Sequence, residues 1–262
     1  MPRTSFLPLL AALALPGLCA AGPDRSPAWQ AWRLGEEALG KGEADAAVGQ
    51  FRLALHLDPS FAPARLSLAA AYLDRGEDAE AAGHLARYVA ERPDHVIVRA
   101  HYAEVLLRLG RLAEARAEFE RFVADAQDRP GPAREHLVHC HTRLMDMAEQ
   151  QGDEYEEHLH RGIGLYLLGC RRSALGEPGG LSAEGFWCKA AAELTLARRL
   201  GPSEARPCWY LYLVWVQLGQ SQPARRWLRA AGESALLGGL TPAEGREWRL
   251  ACEQERAEGR RK

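Results

Sequence analysis

The sequence predicts an all-α protein in which antiparallel helical hairpins stack side by side. Residues 28–61, 62–95 and 96–129 align without a gap at a period of 34 residues, which is the signature of a repeat array. Each copy contains two segments of about 13–15 residues with apolar residues at helical spacing, separated by a glycine. The recurring positions are Leu34, Leu68 and Tyr102; Ala38, Tyr72 and Leu106; Gly42, Gly76 and Gly110; Ala47, Ala81 and Ala115; and Phe51, Leu85 and Phe119.

The size of the recurring residues explains how each hairpin closes. Small residues at Gly35, Ala69 and Ala103 on the first helix face Ala47, Ala81 and Ala115 on the second, so the two backbones approach closely. A single hairpin buries too little apolar surface to offset its loss of chain entropy. Stacked copies share a continuous core, and the repeats therefore stabilise one another.

This pattern resembles the tetratricopeptide repeat family. The resemblance is carried by Leu34-Gly35, Ala38, Ala47, Phe51, Ala54 and Pro59, with their counterparts in the next two copies. It is strong over residues 28–129 and weaker over 182–232, whereas 133–170 matches only as a helical hairpin. The resemblance implies a right-handed superhelical array of hairpins, an α-solenoid, that serves as a scaffold for protein–protein interaction.

The N-terminus carries the pattern of a secretory signal peptide over residues 1–21. A basic start at Arg3 is followed by an apolar run from Phe6 to Leu18 and by small residues up to Ala21, with cleavage expected after Ala20 or Ala21. We therefore expect a bacterial protein that is exported to the periplasm or secreted, with no membrane span after cleavage. A lipid anchor on Cys19 is disfavoured because Leu18 stands where such a signal needs a small residue.

The rest of the chain divides by composition and register. Pro and Gly at 130–132 end the strict ladder, and Thr241 to Glu244 form a capping box that starts a terminal helix. The predicted segments are an N-terminal array over 22–129, a histidine-rich helical hairpin over 130–170, a loop over 171–181, C-terminal repeats over 182–240, and a capping helix with its tail over 241–262.

A histidine cluster in the hairpin suggests an alternative function in metal or haem binding. The candidate ligands are His136, His139, Cys140, Glu157, His158 and His160. Residues two apart on a helix point about 160° away from each other, so His139 and His141 cannot share a metal ion. The alternative requires both helices to bring His136 and Cys140 to His158 or His160.

The other interpretation of the cluster is structural, and no cofactor is predicted. His141 falls on an apolar stripe and is expected to be a hydrogen-bonded core histidine. The stripe consists of Leu137, Cys140, His141, Leu144 and Ala148, and it faces Tyr155, Leu159, Ile163 and Tyr166 on the next helix.

Composition and motifs exclude several other functions. The formal net charge of −2 lacks the excess of basic residues that nucleic-acid binding requires, so no nucleic-acid partner is expected. The chain has no Gly-x-Ser-x-Gly, phosphate-binding loop, dinucleotide-binding turn or HExxH motif. We therefore do not expect an enzyme.

The resemblance implies that the first helix of each repeat lines a groove that contacts a protein or peptide partner. Paired basic and Asn side chains that would hold a carboxyl terminus are not found at these positions, so an apolar helix or extended segment is the expected ligand. The alternative is that neighbouring helices cover the same residues. Carried over by register, the contact residues are Trp29, Trp32, Glu36, Leu39, Leu66, Leu73, Ile97, Glu104, Leu107 and Trp209, with Ala70, Ala100, Arg206 and Leu213 beside them.

Overall fold

A computed structural model describes residues 26–127, 132–176, 180–235 and 239–259. These residues form twelve α-helices, and this part of the chain contains no β-strand. The predicted signal peptide lies outside the described residues. None of the described helices is both long and apolar enough to cross a membrane. The helices are α1 (Pro27–Gly40), α2 (Ala44–Leu57), α3 (Ala62–Arg75), α4 (Asp78–Glu91), α5 (Val96–Arg108), α6 (Leu112–Ala126), α7 (Pro132–Gln151), α8 (Glu154–Leu175), α9 (Ala183–Leu200), α10 (Ala205–Gln217), α11 (Ser221–Ala235) and α12 (Pro242–Gly259).

Contacts divide the chain into two compact units, one up to Glu118 and one from Phe119 onward. In the first unit, helices that follow one another in sequence pack together from α1 to α5, and α1 also contacts α3. Gly42, Gly76 and Gly110 have φ angles of 79°, 76° and 71°. Glycine populates this left-handed region without a steric penalty, which explains why it recurs at the turn of each hairpin.

The core of the first unit confirms the predicted hairpin geometry. Phe51 lies across Gly35, and a Cβ atom on that glycine would stand only 2.6 Å from Phe51 Cδ1. Ala47, Phe51 and Ala54 are fully buried, as are Ala81 and Leu85 in the next repeat. The small residues therefore allow the close helix contacts that their spacing predicts.

The second unit pairs its helices in a way that the sequence does not reveal. Helix α8 packs against both α7 and α9, and it also touches α10 as α1 touches α3. A Cβ atom on Gly162 would stand 2.7 Å from Leu194 Cγ, which repeats the contact between Gly35 and Phe51. Helix α8 thus packs against α9 as the first helix of a repeat packs against its second, and Gly152, with φ 69°, also joins it to α7 in a hairpin.

The helices of this unit confirm two of the predicted elements and shift the boundary of a third. Ala190, Leu194 and Ala197, which lie in the segment predicted to form C-terminal repeats, are fully buried. Helix α8 continues to Leu175 and ends at Gly176 with φ 60°, so the loop predicted from residue 171 begins later. The terminal capping box forms as predicted: Thr241 N–H donates to Glu244 Oε2 at 2.8 Å, and Glu244 N–H donates to Thr241 Oγ1 at 3.2 Å.

Candidate functional site

The first helices of the first unit carry a ladder of three leucines. Leu39, Leu73 and Leu107 stand 34 residues apart, each in the last turn of its helix, on α1, α3 and α5. All three side chains are half-buried, so part of each remains accessible. These residues are among the predicted contact positions, and they form one equivalent position in three successive repeats.

Four further predicted contact residues are also half-buried: Trp29, Glu36, Ile97 and Glu104. The guanidinium of Arg33 lies 5.7 Å from the centre of the Trp29 ring, within the range of a cation–π interaction. Ser67 Oγ donates to Glu36 Oε1 at 2.5 Å, which joins α1 to α3 beside the leucine ladder. The surface is therefore apolar with carboxylates at its edge.

Three predicted contact residues, Trp32, Leu66 and Trp209, are buried in the interior, which corrects their assignment to a partner surface. Trp32 Nε1 donates to Ser67 Oγ at 3.0 Å, and its ring packs edge-on against Phe61. Trp32 and Leu66 occupy the same repeat position. The hydrogen bond from Trp32 joins α1 to α3 of the next repeat. This repeat position therefore packs against the neighbouring repeat and is not free to contact a partner.

Two buried arginines, which the sequence interpretation missed, each join the two helices of one repeat by an ion pair. Arg65 is buried, bonds Glu91 at 3.2 Å and donates to the carbonyl oxygen of Pro59. Arg99 Nη1 stands 3.0 Å from Glu118 Oε2, and both side chains are nearly enclosed. Arg65 and Arg99 are 34 residues apart. An arginine that recurs at the same repeat position is therefore the sequence feature that could have revealed these buried ion pairs.

The histidine hairpin contains one buried histidine pair. His141 on α7 and His160 on α8 have their Nδ1 atoms 2.9 Å apart. His160 Nε2 lies 3.2 Å from Glu156 Oε2 and donates to it, so in the neutral pair His160 Nδ1 accepts the proton of His141 Nδ1. This confirms the expectation that His141 is a hydrogen-bonded core histidine.

The environment of this pair disfavours positive charge. Burial, followed by the neighbouring His160 and Arg206, holds the pKa of His141 well below its ordinary value. Burial also lowers the pKa of His160, although its hydrogen bond to Glu156 acts in the opposite direction. The pair is therefore a neutral hydrogen-bonded element of the core.

The other candidate metal ligands are directed to separate partners. His158 Nδ1 bonds Glu193 at 2.6 Å, Glu157 pairs with Arg161, and the His136 ring packs edge-on against Phe122. His139 is exposed, whereas Cys140 is buried. Among the described residues, which include all six candidates, no three His, Cys, Asp or Glu side chains are placed to hold a metal ion. The alternative of metal or haem binding is therefore not supported.

A polar network anchors the terminal helix inside the second unit. Arg206 Nε lies 3.1 and 3.2 Å from the two carboxylate oxygens of Glu244, and Gln127 Nε2 donates to Glu244 and to the Tyr210 hydroxyl at 3.0 Å each. Burial alone would raise the pKa of Glu244, but Arg206 and the hydrogen bonds from Thr241 and Gln127 hold it below its usual range. Arg206, predicted beside the groove, is thus an internal ion-pair partner.

Two cavities of the second unit border helix α10. The smaller, of about 190 Å³, is bordered by His141, Tyr210 and Glu244, and its volume suits a few water molecules. The larger, of about 550 Å³, opens between α7, α8 and α10, and its lining residues include Leu167 and Arg171.

Comparison with known proteins identifies the repeats. The family model described as tetratricopeptide repeat matches residues 38–95 and 79–134. Residues 38–134 of the chain are tetratricopeptide repeats. The matched residues include the leucine ladder from Leu39 to Leu107, and no curated protein matches the chain.

Solved structures of tetratricopeptide repeat proteins are similar at low sequence identity. MamA is 15% identical, with a TM-score of 0.40, over 77% of this chain and 94% of that protein. PilW, a type IV pilus biogenesis factor, is 18% identical, with a TM-score of 0.40, over 77% of this chain and 90% of that protein. YrrB, a protein with an unusual peptide-binding site, is 13% identical, with a TM-score of 0.36, over 89% of this chain and 93% of that protein. Such distant similarity carries no information about the ligand of this chain.

Proposed function

We propose that this protein is an exported scaffold that holds an apolar segment of a partner protein against the first helices of its N-terminal repeats, without catalysis of its own. The observation that supports the proposal is the ladder of Leu39, Leu73 and Leu107, half-buried at one equivalent position on α1, α3 and α5. Helix α1 contacts α3, and the three leucines recur every 34 residues, so they offer repeated contacts to an extended or helical segment.

The accessible surface around the ladder defines the kind of partner. Trp29 and Ile97 extend the apolar surface on α1 and α5, and Glu36 and Glu104 add negative charge. A few side chains, most often Trp, Tyr and Arg, supply most of the affinity in protein interfaces, and Trp29 is of this kind. A segment with spaced apolar residues and a basic residue beside them complements this surface.

The test is a quantitative pull-down from extracts of the source cells with Leu39, Leu73 and Leu107 replaced by Ala. A matched control replaces Leu112, Leu196 and Leu200, three exposed leucines on α6 and α9, by Ala. A protein captured by the wild type and the control but lost from the ladder variant supports the proposal. Capture that does not differ between the two triple variants would contradict it.

Export is tested separately, at the N-terminus of the protein recovered from cells. We propose that residues 1–21 direct export and are removed after Ala20 or Ala21. The expected mature N-terminus is then Ala21 or Gly22, in the periplasmic or culture fraction. Recovery of cytoplasmic protein that retains residues 1–20 would refute this part of the proposal.

A further inference from the structure

The smaller cavity of the second unit combines aromatic rings with carboxylates. Of the residues that line its volume of about 190 Å³, Tyr166, Trp209 and Tyr210 contribute three aromatic rings. Tyr166 and Tyr210 pack edge to face with their ring centres 5.8 Å apart, so the two rings meet at a corner. Trp209 and Tyr210 are buried, and the surrounding core therefore holds their rings in place.

One buried nitrogen at this cavity lacks a hydrogen-bond partner. His141 is 1% exposed and lines the cavity. Because its Nδ1 donates to His160, its Nε2 carries the lone pair of the neutral ring and can only accept a hydrogen bond. Within the described residues no group donates to this Nε2. A buried acceptor without a donor is costly, so the cavity favours a ligand that donates a hydrogen bond.

The charges around the cavity are predominantly negative. Glu244 and Glu247 line it, and Glu156 lies behind His141, bonded to His160. Against these three carboxylates stands Arg206, whose guanidinium is already bonded to Glu244. Among the described residues that line the cavity there is no Lys or Arg. A small cation that enters the cavity is therefore favoured electrostatically.

The cavity also reaches the protein surface. Glu247 of α12 is exposed although it lines the cavity, and Leu213 of α10, in the same lining, is half-buried. The cavity is therefore open to solvent on the side of these two residues. A ligand that enters there meets Glu247 at the surface, and the aromatic rings and His141 deeper inside.

We propose that this cavity binds a protonated primary amine, carried by a small free molecule or by a lysine side chain of another protein. The ammonium group donates a hydrogen bond to His141 Nε2 and lies against the aromatic rings, a contact that Tyr and Trp make favourably with cations. Glu247 and Glu244 supply the opposing charge. A quaternary ammonium has no N–H group to donate and leaves Nε2 unsatisfied, so a primary amine is the class that fits. The proposal goes beyond the partner surface of the first unit and shares no residue with it.

The test is a titration of the purified chain with n-butylammonium at neutral pH, followed by saturation-transfer NMR and by the ring ¹⁵N signals of the histidines. Two matched ligands are n-butanol, which keeps the alkyl chain without the charge, and tetramethylammonium, which keeps the charge without an N–H group. We expect saturable binding of n-butylammonium, a shift of the unprotonated His141 Nε2 signal, and at least about tenfold weaker binding of both matched ligands.

Two substitutions test the location of the site. Leu213→Trp places a larger ring in the cavity lining and is expected to abolish saturable binding, whereas Val216→Trp, at an exposed position of the same helix, is its control. Glu247→Gln removes one lining charge and is expected to raise the dissociation constant about two- to fivefold, with exposed Glu253→Gln on the same helix as its control. Circular dichroism of each variant verifies that the helices are retained.

A second titration distinguishes the two sources of the amine. Tighter binding of Nα-acetyl-lysine methylamide than of n-butylammonium assigns the site to a lysine side chain, and the reverse order assigns it to a free amine. The proposal is overturned if n-butylammonium does not saturate the protein, if either matched ligand binds equally well, or if the control substitutions weaken binding as much as their counterparts. The leucine-ladder variant is expected to bind n-butylammonium as the wild type does, so failure of the amine site and failure of the partner surface are separate results.

Discussion

The buried pair of His141 and His160 predicts that acid destabilises the second unit. Both folded-state pKa values are lowered, mainly by burial, from the ordinary value of 6.5, so below this pH the unfolded chain binds more protons than the folded chain. Stability is then complete above pH 6.5 and falls as the pH decreases below it. Integrating the linkage relation from pH 6.5 to 5.5 for one histidine that stays neutral when folded gives a loss of about 1 kcal/mol.

The neighbours of the pair determine how much of this loss appears. Glu156 on α8 favours the proton on His160, whereas Arg206 on α10 opposes protonation of both rings, and Glu120 on α6 has a smaller favourable effect on His160. His141 therefore contributes most of the loss, and His160 adds to it in the same direction. Between pH 6.5 and 5.5 we expect the second unit to lose on the order of 1–2 kcal/mol of unfolding free energy.

The assay is urea unfolding at several pH values, followed by tryptophan fluorescence and by hydrogen exchange of peptides from α7 and α8. The test variant replaces His141 and His160 together by Leu, because a single replacement would leave the other ring without its buried partner. The control replaces exposed His139 by Ala. The double variant is expected to lose the pH-dependent destabilisation, and the control to keep it. An undiminished pH dependence in the double variant would refute the assignment to this pair.

Two further predictions concern packing and the terminal helix. Gly35→Ala is expected to reduce the unfolding free energy by about 1–3 kcal/mol because the added methyl group meets Phe51. Gly49→Ala, with open space around it, is the control and is expected to raise the unfolding free energy by about 0.5–1 kcal/mol. Chemical denaturation measures both, and equal effects would contradict the close contact between Gly35 and Phe51. Glu244→Ala removes the carboxylate that Arg206 and Gln127 bond, and a loss of about 3–5 kcal/mol is expected. Thr241→Ala removes the capping hydrogen bond from Glu244 N–H and the hydrogen bond that Thr241 Oγ1 donates to Gln127 Oε1, and it should cost about 1–3 kcal/mol. Similar losses in these two variants would show that the buried ion pair is not the main contribution of Glu244.

The regular repeats could be predicted from sequence because their determinants are local and repeated. Gly42, Gly76 and Gly110 adopt the left-handed conformation that their position predicts, and Phe51 fills the space above Gly35. The sequence predicts a loop from Arg171 because Arg171 to Leu175 precede a Gly-rich stretch. The helix actually ends at Gly176, whose positive φ makes it the natural residue for that position.

The candidate surface could be predicted only in part. Periodicity assigns a residue to a helix face, but it does not say whether the next repeat covers that face. Leu39, Leu73 and Leu107 stay half-buried, whereas Trp32 and Leu66 lie where the next repeat packs. The pairing of His141 with His160 depends on how α7 and α8 align, and this alignment is not encoded in the spacing of either helix alone.

The second unit departs from the 34-residue period because of the order in which its helices pair. Up to α6, odd-numbered helices are the first members of their hairpins, but Gly162 on α8 packs against Leu194 on α9 as Gly35 packs against Phe51. Gly152, which joins α7 to α8, nevertheless has the left-handed φ of a mid-hairpin glycine, at 69°, and the hydrogen bond from Asp153 N–H to the Ala148 carbonyl oxygen repeats the one from Glu43 to Ala38 in the first hairpin. Helix α8 therefore has two partners, α7 through a glycine turn and α9 through side-chain packing, so α7 to α9 supply three helices where two would complete a hairpin. Gly152 accordingly falls 42 residues after Gly110 instead of 34. The pairing of α7 with α8 brings His141 to His160.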